Sequence, residues 1–163
     1  MSAKKRTSRT RKQGRPQPAT AQTAYVNLLA AADGVRALFE KVCAPFDITG
    51  QQYNVLRILR GAEPEGLPTL TIVERMIERA PGITRMIDRL ESKGLVWREI
   101  RPNDRRCVYC RITEKGLNLL QLLDQPVEES NHLAFGRLSQ RELEQLVTLL
   151  MKTRQAQPED GKD

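Results

Sequence analysis

Apolar residues recur along this chain with two different periods, and the places where one period gives way to the other mark out the elements. From Thr23 to Cys43, the positions Tyr25, Leu28, Leu29, Ala32, Val35, Leu38, Phe39 and Val42 fall on one stripe at helical spacing, which predicts a long amphipathic helix ended by Pro45. Thr49-Gly50-Gln51-Gln52 has the form of a capping box, with Ile48 and Tyr53 placed as its hydrophobic staple. It opens a helix to about Arg60 that turns Tyr53, Leu56 and Leu59 inward, and the proline- and glycine-rich stretch Gly61 to Pro68 closes it. Thr71-Ile72-Val73-Glu74 repeats the capping pattern, so a short helix is expected to about Glu78, burying Ile72 or Val73, Met76 and Ile77. Pro81 suits the first turn of a further helix, in which Ile83, Ile87 and Leu90 recur at i, i+4, i+7. Gly94 stands just past its end and Lys93 in its last turn.

At Leu95 the period changes from 3.6 to 2. Val96 and Ile100 point one way and Trp97 and Glu99 the other, and Val108, Cys110 and Ile112 restore the apolar face. Two short strands are therefore expected to pair around the turn Arg101 to Arg106, where Pro102, Asn103 and Asp104 supply turn chemistry and three arginines supply charge. Thr113 then caps a long helix whose leucines 117, 119, 120, 122 and 123 occupy more than one face. Pro126 predicts a kink or break near Asp124 to Gln125, with a restart toward Phe135. Ser139-Gln140-Arg141-Glu142 is a third capping box, stapled by Leu138 and Leu143, and starts a last helix carrying Leu143, Leu146, Val147, Leu150 and Met151 on one face.

The two short helices before the ribbon make a helix-turn-helix, with the second placed to enter a groove. The face of that second helix opposite its apolar stripe carries Pro81, Gly82, Arg85, Asp88 and Arg89, with Thr84 at its edge. An arginine near a helix N-terminus among small residues can reach guanine O6 and N7, and guanidinium groups on a thin ribbon suit a narrow minor groove. A solvated helix face is the alternative for any one of these arginines taken alone.

Together these runs resemble the winged helix-turn-helix domain of the MarR family of bacterial transcription regulators. The resemblance spans roughly Tyr25 to Arg154. It rests on Thr84-Arg85 and Asp88-Arg89-Leu90, on Lys93-Gly94-Leu95-Val96, on Asp104-Arg105-Arg106, and on Ile112-Thr113 with Gly116. It implies that Pro81 and Arg85, with Thr84, read major-groove bases, that Arg105 and Arg106 enter the minor groove, and that Asp104 helps hold the wing. Two departures touch the choice of bases: Arg79-Ala80 replaces the usual small polar cap, and Gly82 stands where serine or threonine is frequent.

The fold class expected is mainly α with a small β wing, a winged helix-turn-helix flanked by dimerisation helices. Residues 1–22 are expected to be a disordered basic tail, 23–155 the winged-helix domain and 156–163 a polar tail. Within the domain, 48–113 form the DNA-binding core and 23–45 and 114–155 dimerise. The terminal helices carry more apolar surface than one small winged domain covers, hence a homodimer on a pseudo-palindromic operator with half-sites about 10 bp apart.

Charge sharpens this picture. The formal net charge is +7, and seven cations lie between Lys4 and Arg15, which leaves twenty basic against twenty acidic residues in the rest. That tail, together with Arg98, could follow phosphates; Gln13-Gly14-Arg15-Pro16 also carries the Gly-Arg-Pro core of an AT-hook. No run of about 18 apolar residues occurs, so no membrane partner is expected, and a charged start without an apolar core points to the cytoplasm.

Other chemistry is sparse. His132 is the only histidine, and Cys107 and Cys110, three apart on a strand, point to opposite faces, so no metal, cofactor or enzymatic activity is expected. The expected function is a sequence-specific DNA-binding transcriptional regulator, a dimeric repressor released by a small-molecule effector of unknown identity. DNA-binding residues are expected at Pro81, Gly82, Thr84, Arg85, Arg89, Arg98, Asp104, Arg105 and Arg106. The alternatives are an oxidant-sensing regulator that uses a cysteine, such as Cys43, and a winged-helix protein-protein adaptor.

Overall fold

The computed structural model describes residues 19–77, 82–101 and 104–155, without the side chains of 104–106. The basic tail up to residue 18, with its Gly-Arg-Pro run, and residues 156–163 lie outside the described residues. Helix α1 is Ala21–Cys43, two residues longer at its start than expected. Thr20 and Thr23 cap it reciprocally, the Thr23 N–H donating to Thr20 Oγ1 at 3.1 Å and the Thr20 N–H to Thr23 Oγ1 at 2.9 Å. The chain divides at Gly34 into two compact units. In the first unit α1 carries Tyr25, Val26, Leu28 and Leu29 exposed.

The second unit, from Val35, holds the hydrophobic core. The end of α1 passes through a 3-10 turn, Ala44–Phe46, into α2, Gly50–Arg60. The capping box forms in both directions: Gln52 N–H donates to Thr49 Oγ1 at 3.2 Å and Thr49 N–H to Gln52 Oε1 at 3.1 Å. Beneath it Phe39 and Tyr53 meet edge to face with centroids 5.0 Å apart.

Two expectations are corrected between α2 and the next helix. Leu67–Pro68 form a short strand, β1, and α3 starts directly after it as Thr69–Arg75. Thr71 therefore lies inside the first turn, so its capping box does not form; Pro68 occupies the cap position without a side-chain hydrogen bond. A proline at the end of a paired edge segment enters a helix without wasting an N–H, which is why the start moves to Thr69. At the other end Met76 turns extended, α3 stops at Arg75 rather than near Glu78, and Ile77 stands 83% exposed instead of buried.

Helix α4 is Ile83–Ser92, with Gly82, not Ala80, at its N-cap in a left-handed conformation. Pro81 lies outside the described residues. Ile87 and Leu90 are fully inside, with Ile83 packed against them. Gly94, at φ 68°, closes the helix: its N–H donates to Glu91 O at 2.8 Å, and Leu95 N–H donates to Leu90 O at 2.9 Å. This is a Schellman stop, and the left-handed residue it needs is the reason for the glycine.

The antiparallel sheet has the order β1-β3-β2, with β2 Val96–Arg101 and β3 Asp104–Ile112. Val96 faces Ile112, Arg98 faces Cys110 and Ile100 faces Val108. The register then jumps, Arg101 pairing with Asp104, so the connection is shorter than the expected turn from Arg101 to Arg106, and residues 105–107 are the extra length on β3. The apolar face is buried only at its base: Val96, Cys110 and Ile112 are inside, whereas Ile100 is 65% and Val108 39% exposed, because the ribbon runs out past the core.

Helix α5, Glu114–Phe135, begins at Thr113, whose Oγ1 accepts from Gly116 N–H at 3.0 Å. It continues through Pro126 without the break considered from the sequence. The carbonyl that loses its partner belongs to Leu122, 65% exposed, on the side where water can replace the bond. Leu120 and Leu123 complete the core, and Arg60 bonds Asp124 through both carboxylate oxygens at 3.1 and 3.2 Å. Helix α6, Gln140–Gln155, starts at the Ser139–Glu142 box and contributes no buried residue. None of the described helices is long and apolar enough to cross a membrane.

Candidate DNA interface

The apolar stripe of α4 decides which way its other face points. With Ile87 and Leu90 locked inward, Gly82, Thr84, Arg85, Asp88 and Arg89 are all exposed. Neither Arg85 nor Arg89 forms an ion pair with another described residue, so both guanidinium groups are available for a partner. Beside them the β2–β3 ribbon projects. Asp104, Arg105 and Arg106 have their backbone in β3, at the register jump that precedes Val108, while their side chains lie outside the described residues.

Two arginines of the ribbon are engaged within the protein, which the sequence alone did not reveal. Arg98 Nη1 bonds Asp88 Oδ1 at 2.8 Å, and its Nε bonds Glu91 Oε2 at 2.9 Å, with Nη2 on the same oxygen. The hydrogen bond from Arg98 holds the Glu91 carboxyl below the usual carboxylate range, and the same contacts raise the Arg98 guanidinium. Arg101 lies 3.8 Å over the Tyr109 ring, bonds Glu99 Oε1 at 3.0 Å and donates to the Glu65 carbonyl. The available signal was strand alternation: Arg98 shares a face with Val96, so its charge turns toward the body and needs a carboxylate there.

The remaining chemistry-bearing side chains are one histidine and three cysteines. His132 is exposed, 4.0 Å from Glu128. Cys43 and Cys110 are fully buried and Cys107 half-buried, and no disulfide joins them. Among the described residues no group of histidine, cysteine and carboxylate side chains could hold a metal.

Comparison with known proteins meets this geometry directly. The MarR family profile matches residues 48–108, from the entrance of α2 to the middle of β3. A MarR transcription factor from Planctomyces limnophilus is similar at 40% identity, over 83% of this chain and 98% of that one, with a TM-score of 0.66. This chain belongs to the MarR family. Other similar family structures include an E. coli MarR mutant complexed with operator DNA, at 27% identity over 80% of this chain and 93% of that one, TM-score 0.73. BpsR of Bordetella bronchiseptica, whose DNA binding is regulated by 6-hydroxynicotinic acid, is similar at 25% identity over 87% and 99%, TM-score 0.74. The MarR assignment fits the helical fold with its small sheet, and makes this chain a transcription regulator of the DNA-binding winged-helix kind.

Proposed function

We propose that this chain is a sequence-specific dimeric repressor that α4 and the wing seat on a pseudo-palindromic operator, and that a small-molecule effector releases. The carrying observation is the exposed pair Arg85 and Arg89, which form no ion pair with another described residue, on a helix whose rotation is set by Ile87 and Leu90. Arg85, with Pro81, Gly82 and Thr84, meets base edges in the major groove; Arg89 lies one turn on, toward phosphate. Arg105 and Arg106 enter the minor groove from the wing, with Asp104 holding its turn. The operator complex of the E. coli MarR mutant supports this docking by family likeness. Residues 48–113 are the DNA-binding core, and 23–45 with 114–155 join two copies, which sets the two reading helices about one DNA turn apart. Effector release follows the example of BpsR and requires a ligand that favours a head spacing unfit for the operator.

The test is fluorescence anisotropy on promoter and scrambled duplexes across a salt series, with Arg85→Ala beside the unaltered protein. A preference of about 10³-fold or more is expected, and Arg85→Ala should cut it by about 1 to 3 kcal/mol. Equal binding of every duplex, selected or scrambled, would sink the proposal. An adaptor role would instead appear as a partner captured without DNA.

A further inference from the structure

We infer that Arg98 is a positioning residue, which through Asp88 and Glu91 fixes the rotation of the reading helix against the wing, rather than a phosphate contact. The inference rests on the DNA-reading function proposed above. Asp88 and Glu91 stand three apart on α4, so both project toward the strand that leaves the Gly94 turn. Arg98 takes one with Nη1 and the other with Nε and Nη2. A guanidinium fork held by two carboxylates one turn apart resists both sliding and rolling of α4 relative to β2. Asp88 is also three residues from Arg85 and adjacent to Arg89, so any roll permitted at Asp88 carries the reading arginines with it.

Electrostatics separates this role from phosphate binding. One guanidinium between two carboxylates leaves the trio with a formal charge of −1, so bringing it to a phosphate brings net repulsion. Side-chain exposure of 30% for Arg98 and 36% for Glu91 leaves the bridge partly sheltered at the wing root. On the other side of the ribbon Arg101 fastens to the Glu65 carbonyl. Of these two arginine ties between wing and body, the Arg98 bridge is the one that touches the reading helix.

The full-length chain is used to select duplexes from a randomised pool, and the enriched duplex and a scrambled one are then titrated with the unaltered protein, Glu91→Gln, Arg98→Gln, Arg98→Lys and the double Glu91→Gln/Arg98→Gln. Circular dichroism melts restrict the comparison to folded protein. Positioning predicts that each single variant lowers the enriched-to-scrambled affinity ratio by about fivefold or more, the low end for a lost base contact. Arg98→Lys should also fall, since an ammonium keeps the charge and loses the fork, and the double variant should fall no further than the worse single one. The inference is overturned if Glu91→Gln leaves the ratio intact while tightening all duplexes. It is equally overturned if Arg98→Gln weakens all duplexes alike and reduces the salt slope by about one counterion, as loss of a phosphate contact does. If the unaltered protein enriches no duplex, the DNA-reading function itself fails, and the inference with it.

Discussion

Cys43 has no exposed surface where α1 ends, and its thiol is pushed up to about 11, first by burial and then by the Glu40 carboxylate. Burial raises the Cys110 thiol as well, against a lowering hydrogen bond from Thr69. An oxidant sensor needs an accessible thiolate, and neither group supplies one. Titration of the native protein with a disulfide reagent near pH 8 should therefore show at most one fast thiol, Cys107, and all three only after denaturant is added. Fast modification of Cys43 in the folded protein would contradict its place in the core. At this scale the sequence was informative wherever a side chain's direction follows from periodicity alone. Strand alternation put Cys110 inside with Val96 and Ile112, and helical spacing put Ile87 and Leu90 inside and Arg85 outside. It failed where exposure depends on how far an element reaches beyond the core. Ile100 and Val108 alternate correctly yet stand on a projecting ribbon, and Ile77 keeps helical spacing although the helix has already ended.

Elements were legible where their ends are chemically marked. Thr49 with Gln52 and Ser139 with Glu142 formed the expected boxes, whereas Thr71 did not, because Pro68 and the pairing of β1 with β3 start α3 three residues earlier. A two-residue strand has no period to detect, so β1 could be recognised only from its partner in space. The junction of wing and α5 carries a prediction of its own. Thr113 N–H bonds Leu95 O at 3.1 Å and Thr113 Oγ1 donates to Gly94 O at 2.8 Å, which draws the first turn of α5 onto the strand that leaves α4. A Cβ on Gly116 would lie 2.5 Å from Leu95 O and 2.7 Å from Ile112 Cγ1. The first of these neighbours is backbone and cannot rotate away. Gly116→Ala should therefore destabilise, the overpacking cost of about 1 to 3 kcal/mol exceeding the helix-propensity gain of up to about 1 kcal/mol. A urea midpoint that falls at unchanged slope is the expected result; an unchanged or raised midpoint would mean that the junction yields easily.

For the whole molecule, the decisive asymmetry is between a core that is complete and helices that are not covered. The buried cluster draws on the end of α1, α2, α3, α4, the base of the sheet and the first half of α5, and on nothing from α6. Within the second unit α6 leaves Val147 50%, Leu149 61%, Leu150 36% and Met151 56% exposed, and the first unit separately exposes Tyr25, Val26, Leu28 and Leu29. Solvated apolar residues at helical spacing on both terminal helices are what a two-fold interface between copies would cover. Sedimentation at micromolar concentration should then give about twice the 18.5 kDa mass of the chain. Because α6 adds nothing to the core, Val147→Glu with Leu150→Glu should lower that mass toward a single chain while the helical signal of the remaining elements persists. DNA binding adds a second readout. A monomer presents one reading helix, so the loss should be far larger on a two-half-site duplex than on one half-site, since linked half-sites bind with the effective concentration of the second head. A single-chain mass for the unaltered protein would remove the dimer from the proposal. A dimer that survives both glutamates would place the interface away from this face of α6.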